Sequence, residues 1–205
     1  DGPYRIDGYQ PTCVTQTIDI SLRGHHELKT YIKDETLFFT FSYMDMNRDE
    51  GEDVVQVTVF NENGQPVAEA RAADDGNTSD DVVVDQGLKT LVLSAYGLPE
   101  GVYKIVMNTT RDVFFRKVLT SQQKIVFFNT LFIGDEIGYR EPSEGATLYT
   151  ESKRLRFQTR HAKGVQTITA GDQTLEIAQP YEGYTLTFQG EGLEGLTLPT
   201  GDVEI

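Results

Sequence analysis

The sequence of 205 residues contains no tryptophan, one cysteine and no run of about 18 uncharged apolar residues. Without such a run no segment is predicted to span a bilayer, and we expect no direct insertion into a membrane. The longest apolar stretch, KIVFFNTLFIG, has the length of a buried strand. Cys13 has no second cysteine in the chain, which excludes an internal disulfide. The chain begins without methionine, so we expect a processed protein or a fragment of a longer one.

Positive charge is scarce, because 18 Lys and Arg stand against 32 Asp and Glu, for a net charge of -14. Such a chain repels phosphate backbones, so nucleic acid is not an expected partner. The acidic segment, Asp45 to Asp85, holds twelve carboxylates and two arginines, whereas the basic segment, Lys153 to Lys163, holds five basic residues and no acid. This asymmetry predicts contacts between the acidic segment of one copy and the basic segment of the next.

Residues in a catalytic arrangement are also missing. The sequence has no Gly-x-Ser-x-Gly motif and no cluster of His and Cys with the spacing of a zinc site. His25 and His26 are adjacent, and adjacent side chains on a strand point to opposite faces. Carboxylate pairs can hydrolyse glycosides, but loop carboxylates in an acidic protein are usually solvated. We therefore predict that the protein is not an enzyme.

What the sequence does contain is a series of short β-branched and aromatic runs, separated by Gly, Pro, Asn and Asp at intervals of about ten residues. Helical periodicity is nearly absent, so we predict an all-β protein. The predicted strands are Thr17 to Leu22, Leu37 to Tyr43, Val54 to Phe60, Val67 to Ala72, Asp81 to Val84, Lys89 to Ser94, Gly101 to Asn108, Val113 to Thr120, Leu148 to Thr150, Arg154 to Thr159, Val165 to Ala170, Gln173 to Ile177, Tyr184 to Gln189 and Leu196 to Leu198.

Turn residues predict three connections. Asn63-Gly64 in VTVFNENGQPVAEA and Gly171-Asp172 in ITAGDQTLEI tolerate the positive φ angles of tight hairpin turns. Leu98-Pro99-Glu100-Gly101 in LVLSAYGLPEGVYKIVMN predicts a corner that takes the chain to the opposite sheet.

The stretches VTVFNENGQPVAEA and GLPEGVYKIVMN resemble immunoglobulin-like modules of bacterial and archaeal surface proteins, over residues 15–120. The paired cysteines and core tryptophan of antibody-type domains are absent. The later QTITAGDQTLEI looks like the small β domains that follow such modules in tandem. The resemblance implies an immunoglobulin-like β-sandwich with an N-terminal extension in residues 1–122 and a second, smaller β domain in residues 123–205.

The stretch YMDMNRDEGEDVVQV predicts either a calcium site or a solvated turn. Asp45, Asn47 and Asp49 have the spacing of the first three ligands of an EF-type loop, and Asp53 follows. Glu50 occupies the position of the required glycine, and Gln56 that of the bidentate glutamate, so an EF-hand is not predicted. A second acidic loop contains Asp74, Asp75, Asp80 and Asp81, and a calcium site is favoured if the two loops meet at one end of a sandwich.

Two further kinds of site are predicted. Asn77 and Asn108 begin Asn-Thr-Ser and Asn-Thr-Thr, which are acceptor sequences for N-glycosylation. Tyr181 and Tyr184 are candidates for stacking on a sugar, although core or junction packing is the alternative for each.

Together these features predict a non-enzymatic structural or assembly module of an extracellular or cell-surface protein, built into a filament or layer by head-to-tail contacts. The expected partners are other copies of the chain or other surface proteins, and calcium is the candidate cofactor. The alternative is a carbohydrate-binding or adhesion module of a larger secreted protein, with glycans as partners.

Overall fold

The computed structural model describes residues 4–47, 51–77, 87–134, 145–159, 165–198 and 203–205. The chain divides into two compact units, Asp1–Thr130 and Leu131–Ile205. No helix occurs in the described ranges, and every described strand pairing is antiparallel. The predicted all-β class is confirmed. A search of the described residues for a helix that could cross a membrane finds none.

The described residues of the first unit form two antiparallel sheets. One has the strand order β2-β9-β4-β7, with β1 also paired to β9, and the other has the order β10-β3-β8-β5-β6. The strands are β1 (Gln16–Ile18), β2 (Leu22–Arg23), β3 (His26–Ile32), β4 (Leu37–Asp45), β5 (Val55–Phe60), β6 (Pro66–Ala72), β7 (Lys89–Ala95), β8 (Gly101–Asn108), β9 (Val113–Thr120) and β10 (Ile125–Phe128).

Alternation along these strands produces the core of the first unit. In β5 the three valines are buried while the residues between them are half-buried, and β8 alternates in the same way. Period-two alternation places one set of side chains on the buried face of a sheet. The fully buried apolar side chains include Leu28, Ile32, Leu37, Phe39, Phe41, Val57, Val59, Ile105, Met107, Phe115 and Val118.

Both predicted hairpins and the predicted corner are confirmed. β5 pairs with β6 around a turn in which Gly64 has φ 72°, and β14 pairs with β15 around Gly171, which has φ 54°. Glycine adopts positive φ without a steric cost. Residues 96–100 connect β7 to β8, which lie in different sheets.

The second unit also consists of antiparallel strands, in the orders β16-β13-β18-β11 and β12-β17-β14-β15. Its buried apolar residues include Phe157, Ile168, Ile177, Leu186, Leu196 and Val203. The strands are β11 (Phe132–Ile133), β12 (Ala146–Thr150), β13 (Arg154–Thr159), β14 (Gln166–Ala170), β15 (Gln173–Ile177), β16 (Tyr184–Thr187), β17 (Glu194–Leu198) and β18 (Val203–Glu204).

The division between the units follows Thr130, whereas the sequence predicts a domain boundary after residue 122. β10 pairs with β3 of the first unit. Gln122 is fully buried. Its side chain is bonded to the same unit, since Nε2 donates to Thr36 O at 2.8 Å and Oε1 accepts from Phe38 N at 2.8 Å. The apolar KIVFF stretch therefore closes the first unit.

Strand β3 is the main element that the sequence reasoning missed. Its sequence, HELKTYI, carries Glu27 and Lys29 on its more exposed face, and charged residues are depleted in strands. Leu28, Thr30 and Ile32 alternate with them and are buried. The predicted strand from Asp81 to Val84 lies outside the described residues.

Candidate functional site

Strand ends bring the two acidic loops together at one end of the first unit. β4 ends at Asp45, and Asp53 lies two residues before β5. Asp74 lies two residues after the end of β6. Because β5 and β6 are antiparallel, the start of β5 lies beside the end of β6, and this pairing places Asp53 next to Asp74.

The three carboxylates form one compact cluster. One carboxylate oxygen each from Asp45, Asp53 and Asp74 lies within 4.8 Å of the others. Asp45 is 2% exposed and Asp53 is 5% exposed, while Asp74 is half-buried. Backbone amides orient Asp74, since Asp53 N donates to its Oδ1 at 2.8 Å and Gly76 N donates to its Oδ2 at 2.7 Å. We call these three residues the carboxylate cluster.

Several oxygen atoms around the carboxylate cluster are buried. Asn47, 1% exposed, donates from Nδ2 to Asp75 Oδ2 at 3.2 Å and from its backbone N to Asp45 Oδ1 at 3.3 Å. Its Oδ1 is buried and has no hydrogen-bond partner among the described residues. The hydroxyl of Thr110 donates to Asp53 Oδ1, and the preceding residue in the chain, Thr109, has a buried Oγ1 without a hydrogen-bond partner among the described residues. A buried oxygen without a donor costs free energy, and a cation would satisfy it.

Negative charge exceeds positive charge here. Lys89 Nζ lies 3.2 Å from Asp75 Oδ2 and 3.9 Å from Asp45 Oδ2. Burial, together with the charge of Asp53, raises the pKa of Asp45 to about 6. Burial also raises the pKa of Asp53, and Asp112 adds to this shift. The pKa of Asp75 is lowered, because hydrogen bonds from Asn77, Asn47 and Lys89 outweigh its burial.

Without calcium, the contribution of Asp45 to the free energy of unfolding should fall on the order of 2 kcal/mol as the pH rises from about 4 to about 7. The raised pKa of Asp45 means that, over this range, the folded chain keeps a proton that the unfolded chain has released, so rising pH favours unfolding. Urea unfolding in a chelating buffer at several pH values measures the slope. Asp45→Asn cannot ionise, so it should flatten the slope, and an equal slope in that variant would contradict the assignment.

The donor set suits a hard divalent cation. Every potential ligand is a carboxylate, amide or hydroxyl oxygen, which calcium prefers, whereas zinc sites use mostly nitrogen and sulfur. Calcium accepts six to eight oxygens in irregular geometry, so ligands from separate loops are compatible with it. Asp45, Asp53, Asp74 and the Asn47 amide oxygen are the residues that could hold the ion.

Three of the four predicted metal ligands lie close together. Asp45, Asn47 and Asp53 lie in one neighbourhood, and Asp49 lies outside the described residues. Gln56 is in β5, where its Nε2 donates to Glu69 Oε2 at 2.8 Å.

Three acidic residues of this neighbourhood were not among the four predicted ligands. Asp74 and Asp75 were considered only as members of a second acidic loop, which would favour a calcium site if it met the first. Asp112, 1% exposed, accepts a hydrogen bond from Met46 N at 3.1 Å through its backbone oxygen. Its position follows from the pairing of β4 with β9, in which Asp45 lies opposite Val113. Strand pairing over such a distance has no local sequence signal.

The other predicted sites are not part of the carboxylate cluster. Asn108 is exposed at the end of β8, and Asn77 is half-buried with its backbone N donating to Asp75 Oδ1 at 2.9 Å. Tyr181 is 65% exposed. The hydroxyl of Tyr184 accepts hydrogen bonds from Ala178 N at 3.2 Å and Gln179 N at 3.0 Å. This tyrosine therefore stabilises the loop that precedes it in the chain.

Compared with protein-family models, with curated proteins and with solved structures, this chain has no match. The resemblance to immunoglobulin-like modules stays a prediction from the two motifs that suggested it. The geometry of the carboxylate cluster is the principal observation on function.

Proposed function

We propose that this chain is a non-enzymatic structural and assembly module of an extracellular or cell-surface protein, and that calcium stabilises its first unit. The observation that carries the proposal is the convergence of Asp45, Asp53 and Asp74, with two of the three carboxylates almost fully buried. Buried like charges repel one another strongly at neutral pH, and a bound divalent cation removes that repulsion. Extracellular modules bind calcium with dissociation constants of about 10⁻⁴ to 10⁻³ M.

The first unit is proposed to be an immunoglobulin-like sandwich. In support, the chain changes sheets between β7 and β8, and the hydroxyl of Tyr103 donates to Pro99 O at 2.8 Å across that corner. A tyrosine that hydrogen-bonds backbone a few residues upstream is a feature of immunoglobulin-type corners. The residues after Thr130 are proposed as a second, smaller β domain.

Assembly is proposed to be head-to-tail, between the acidic segment of one copy and the basic segment of the next. Arg154 and Arg156 of the basic segment are exposed on β13. A heterologous contact of this kind continues from copy to copy and produces a filament or layer. Opposite charges steer such contacts and weaken when salt screens them.

A calcium titration of chelator-treated protein near neutral pH tests both parts. Calorimetry should show saturable binding of one ion per chain, with a dissociation constant of about 10⁻³ M or lower. Light scattering on the same samples should show particles at low salt that become smaller as ionic strength rises. Absence of saturable binding would reject the calcium part. Particle sizes that do not change with salt would reject the electrostatic contact.

The alternative function is a carbohydrate-binding or adhesion module of a larger secreted protein. The exposed ring of Tyr181 is the observation in its favour, because a free aromatic face can stack on a sugar. Tyr184 is a weaker candidate, since its hydroxyl is already engaged by two backbone amides. Binding to a glycan array that Tyr181→Ala abolishes would favour this function.

A further inference from the structure

A cationic row crosses the outer face of the sheet β10-β3-β8-β5-β6. Strand register places Val126 opposite Lys29, Lys29 opposite Lys104, and Lys104 opposite Phe60. Residues directly opposite in antiparallel strands project from the same face. Val126 is 63% exposed and Lys29 is exposed, so this row lies on the solvent side of the sheet.

The two lysines at the centre of the row have no carboxylate partner in the part of the chain that the structure describes. Among the described residues, neither Lys29 nor Lys104 takes part in an ion pair. Instead, Lys29 Nζ lies 5.2 Å from the ring centre of Phe128, and Lys104 Nζ lies 5.2 Å from that of Phe60. Like charges directly opposite each other on a sheet are destabilising. Glu27, on the same face two residues from Lys29, contacts Asn129 and His25 instead, so both lysines are available to an external anion.

The row forms part of an open groove of about 1410 Å³. The groove is larger than the usual range of about 300 to 1000 Å³ for sites that enclose a small molecule, which favours an extended ligand. Four of its lining residues are basic and one is acidic, and the acid, Glu62, already pairs with Arg5 at 3.2 Å. The basic residues are Arg5, Lys29, Lys104 and Lys124.

We propose that this groove binds a polysaccharide bearing carboxylate or sulfate groups. The acidic groups would pair with Lys29 and Lys104, while the apolar faces of the sugar rings would contact Val126, Phe60 and the exposed ring of Tyr4. This binding site goes beyond the proposed calcium-dependent module and does not depend on it.

Backbone pairing explains why a polysaccharide fits better than an acidic peptide. β3 pairs with β10 and β8, and β8 pairs with β3 and β5, so the backbone groups of both central strands are used within the sheet. A peptide lying in the groove would bury amide groups without backbone partners, at a cost in free energy. Sugar rings have no backbone amides, and their hydroxyls can stay in contact with water.

The test compares binding of dextran sulfate, unmodified dextran and poly-L-glutamate to the whole chain, by calorimetry at low salt. Dextran sulfate should bind, whereas dextran and polyglutamate should bind much more weakly or not at all. Lys29→Ala combined with Lys104→Ala should weaken dextran sulfate binding roughly tenfold or more, because two charge-assisted contacts are lost. The melting temperature of this double variant should equal or exceed that of the original chain, since the two lysine charges no longer face each other.

Lys117→Ala is the matched control, because Lys117 is an exposed lysine on β9 of the other sheet. It should leave dextran sulfate binding unchanged, and an equal loss in this variant would mean non-specific attraction and overturn the proposal. Polyglutamate that binds as tightly as dextran sulfate would assign the groove to an acidic peptide instead. Calcium titration of the double variant should match that of the original chain, so failure of the groove and failure of the calcium site are distinguishable.

Discussion

Calcium is expected to raise the melting temperature of the protein by about 5 to 10 °C, and Asp53→Asn is expected to remove most of that rise. A ligand at 100 times its dissociation constant stabilises the folded state by about 2.7 kcal/mol. For a chain of this length each kcal/mol corresponds to roughly 2 to 4 °C. Thermal unfolding in calcium and in chelator, for both proteins, provides the measurement.

Asp53 is the most informative carboxylate to change, because Asp53→Asn should lower the melting temperature in calcium but not in chelator. It is buried, accepts a hydrogen bond from Thr110 and lies against Asp45 and Asp74. Asparagine keeps the shape and can still accept from Thr110, but carries no charge. In chelator the variant should therefore melt at the same temperature or higher, since repulsion among the carboxylates is reduced. In calcium it should melt lower than the original protein.

Asp172→Asn is the matched control, because Asp172 is exposed in the turn between β14 and β15 of the second unit. Its calcium-dependent rise should equal that of the unchanged chain. If Asp53→Asn kept the full rise, the ion would bind elsewhere or only to the general negative charge. If it melted lower in chelator as well, the carboxylate would serve folding rather than a metal ion.

Phe41→Ala is expected to lower the free energy of unfolding by about 3 to 5 kcal/mol. Phe41 is fully buried in β4, parallel to the ring of Phe39 with centres 5.8 Å apart, and edge-on to Phe115 at the same distance. Truncation removes apolar contacts and leaves a cavity between two strands, and aromatic pairs contribute about 0.5 to 1.5 kcal/mol beyond burial. Urea unfolding followed by circular dichroism would measure the loss.

Val92→Ala on the neighbouring strand β7 is the control for Phe41→Ala. Val92 is 54% exposed and pairs with Thr40, on the face of β4 opposite to Phe41. Its truncation should change stability by about 0.5 kcal/mol or less, as is usual for surface positions. Equal losses in the two variants would contradict the assignment of Phe41 to the centre of the core.

Local features of the sequence were sufficient to predict the hairpins. Asn63-Gly64 and Gly171-Asp172 supply positive φ where two short alternating runs are separated by a few residues, and both pairs of strands form. β8 and β9 begin and end at the residues predicted from the sequence. β3 was missed because its charged residues argue against a strand, whereas its pairing with β10 and β8 has no local sequence signal.

A buried charge illustrates a second limit of local reasoning. Arg116 is 1% exposed in β9, where its guanidinium lies 4.5 Å from the ring centre of Phe114 and its Nη1 donates to Ser21 Oγ at 2.8 Å. Arginine is almost never fully buried without partners, so an arginine in an alternating run predicts an exposed position. One of its hydrogen-bond partners, Ser21, lies 95 positions away in the chain, which no short pattern contains.

The sequence by itself determined the all-β class, the two glycine turns, the change of sheet near Pro99 and the concentration of acid between Asp45 and Asp85. These features depend on neighbours in the chain, through the period of a strand and the φ angles that a turn requires. Only the tertiary structure decided that Asp45, Asp53 and Asp74 share one site and that Lys29 faces Lys104. Both outcomes depend on the pairing of distant strands, which is set by the burial of whole sheet faces and not by any local run of residues.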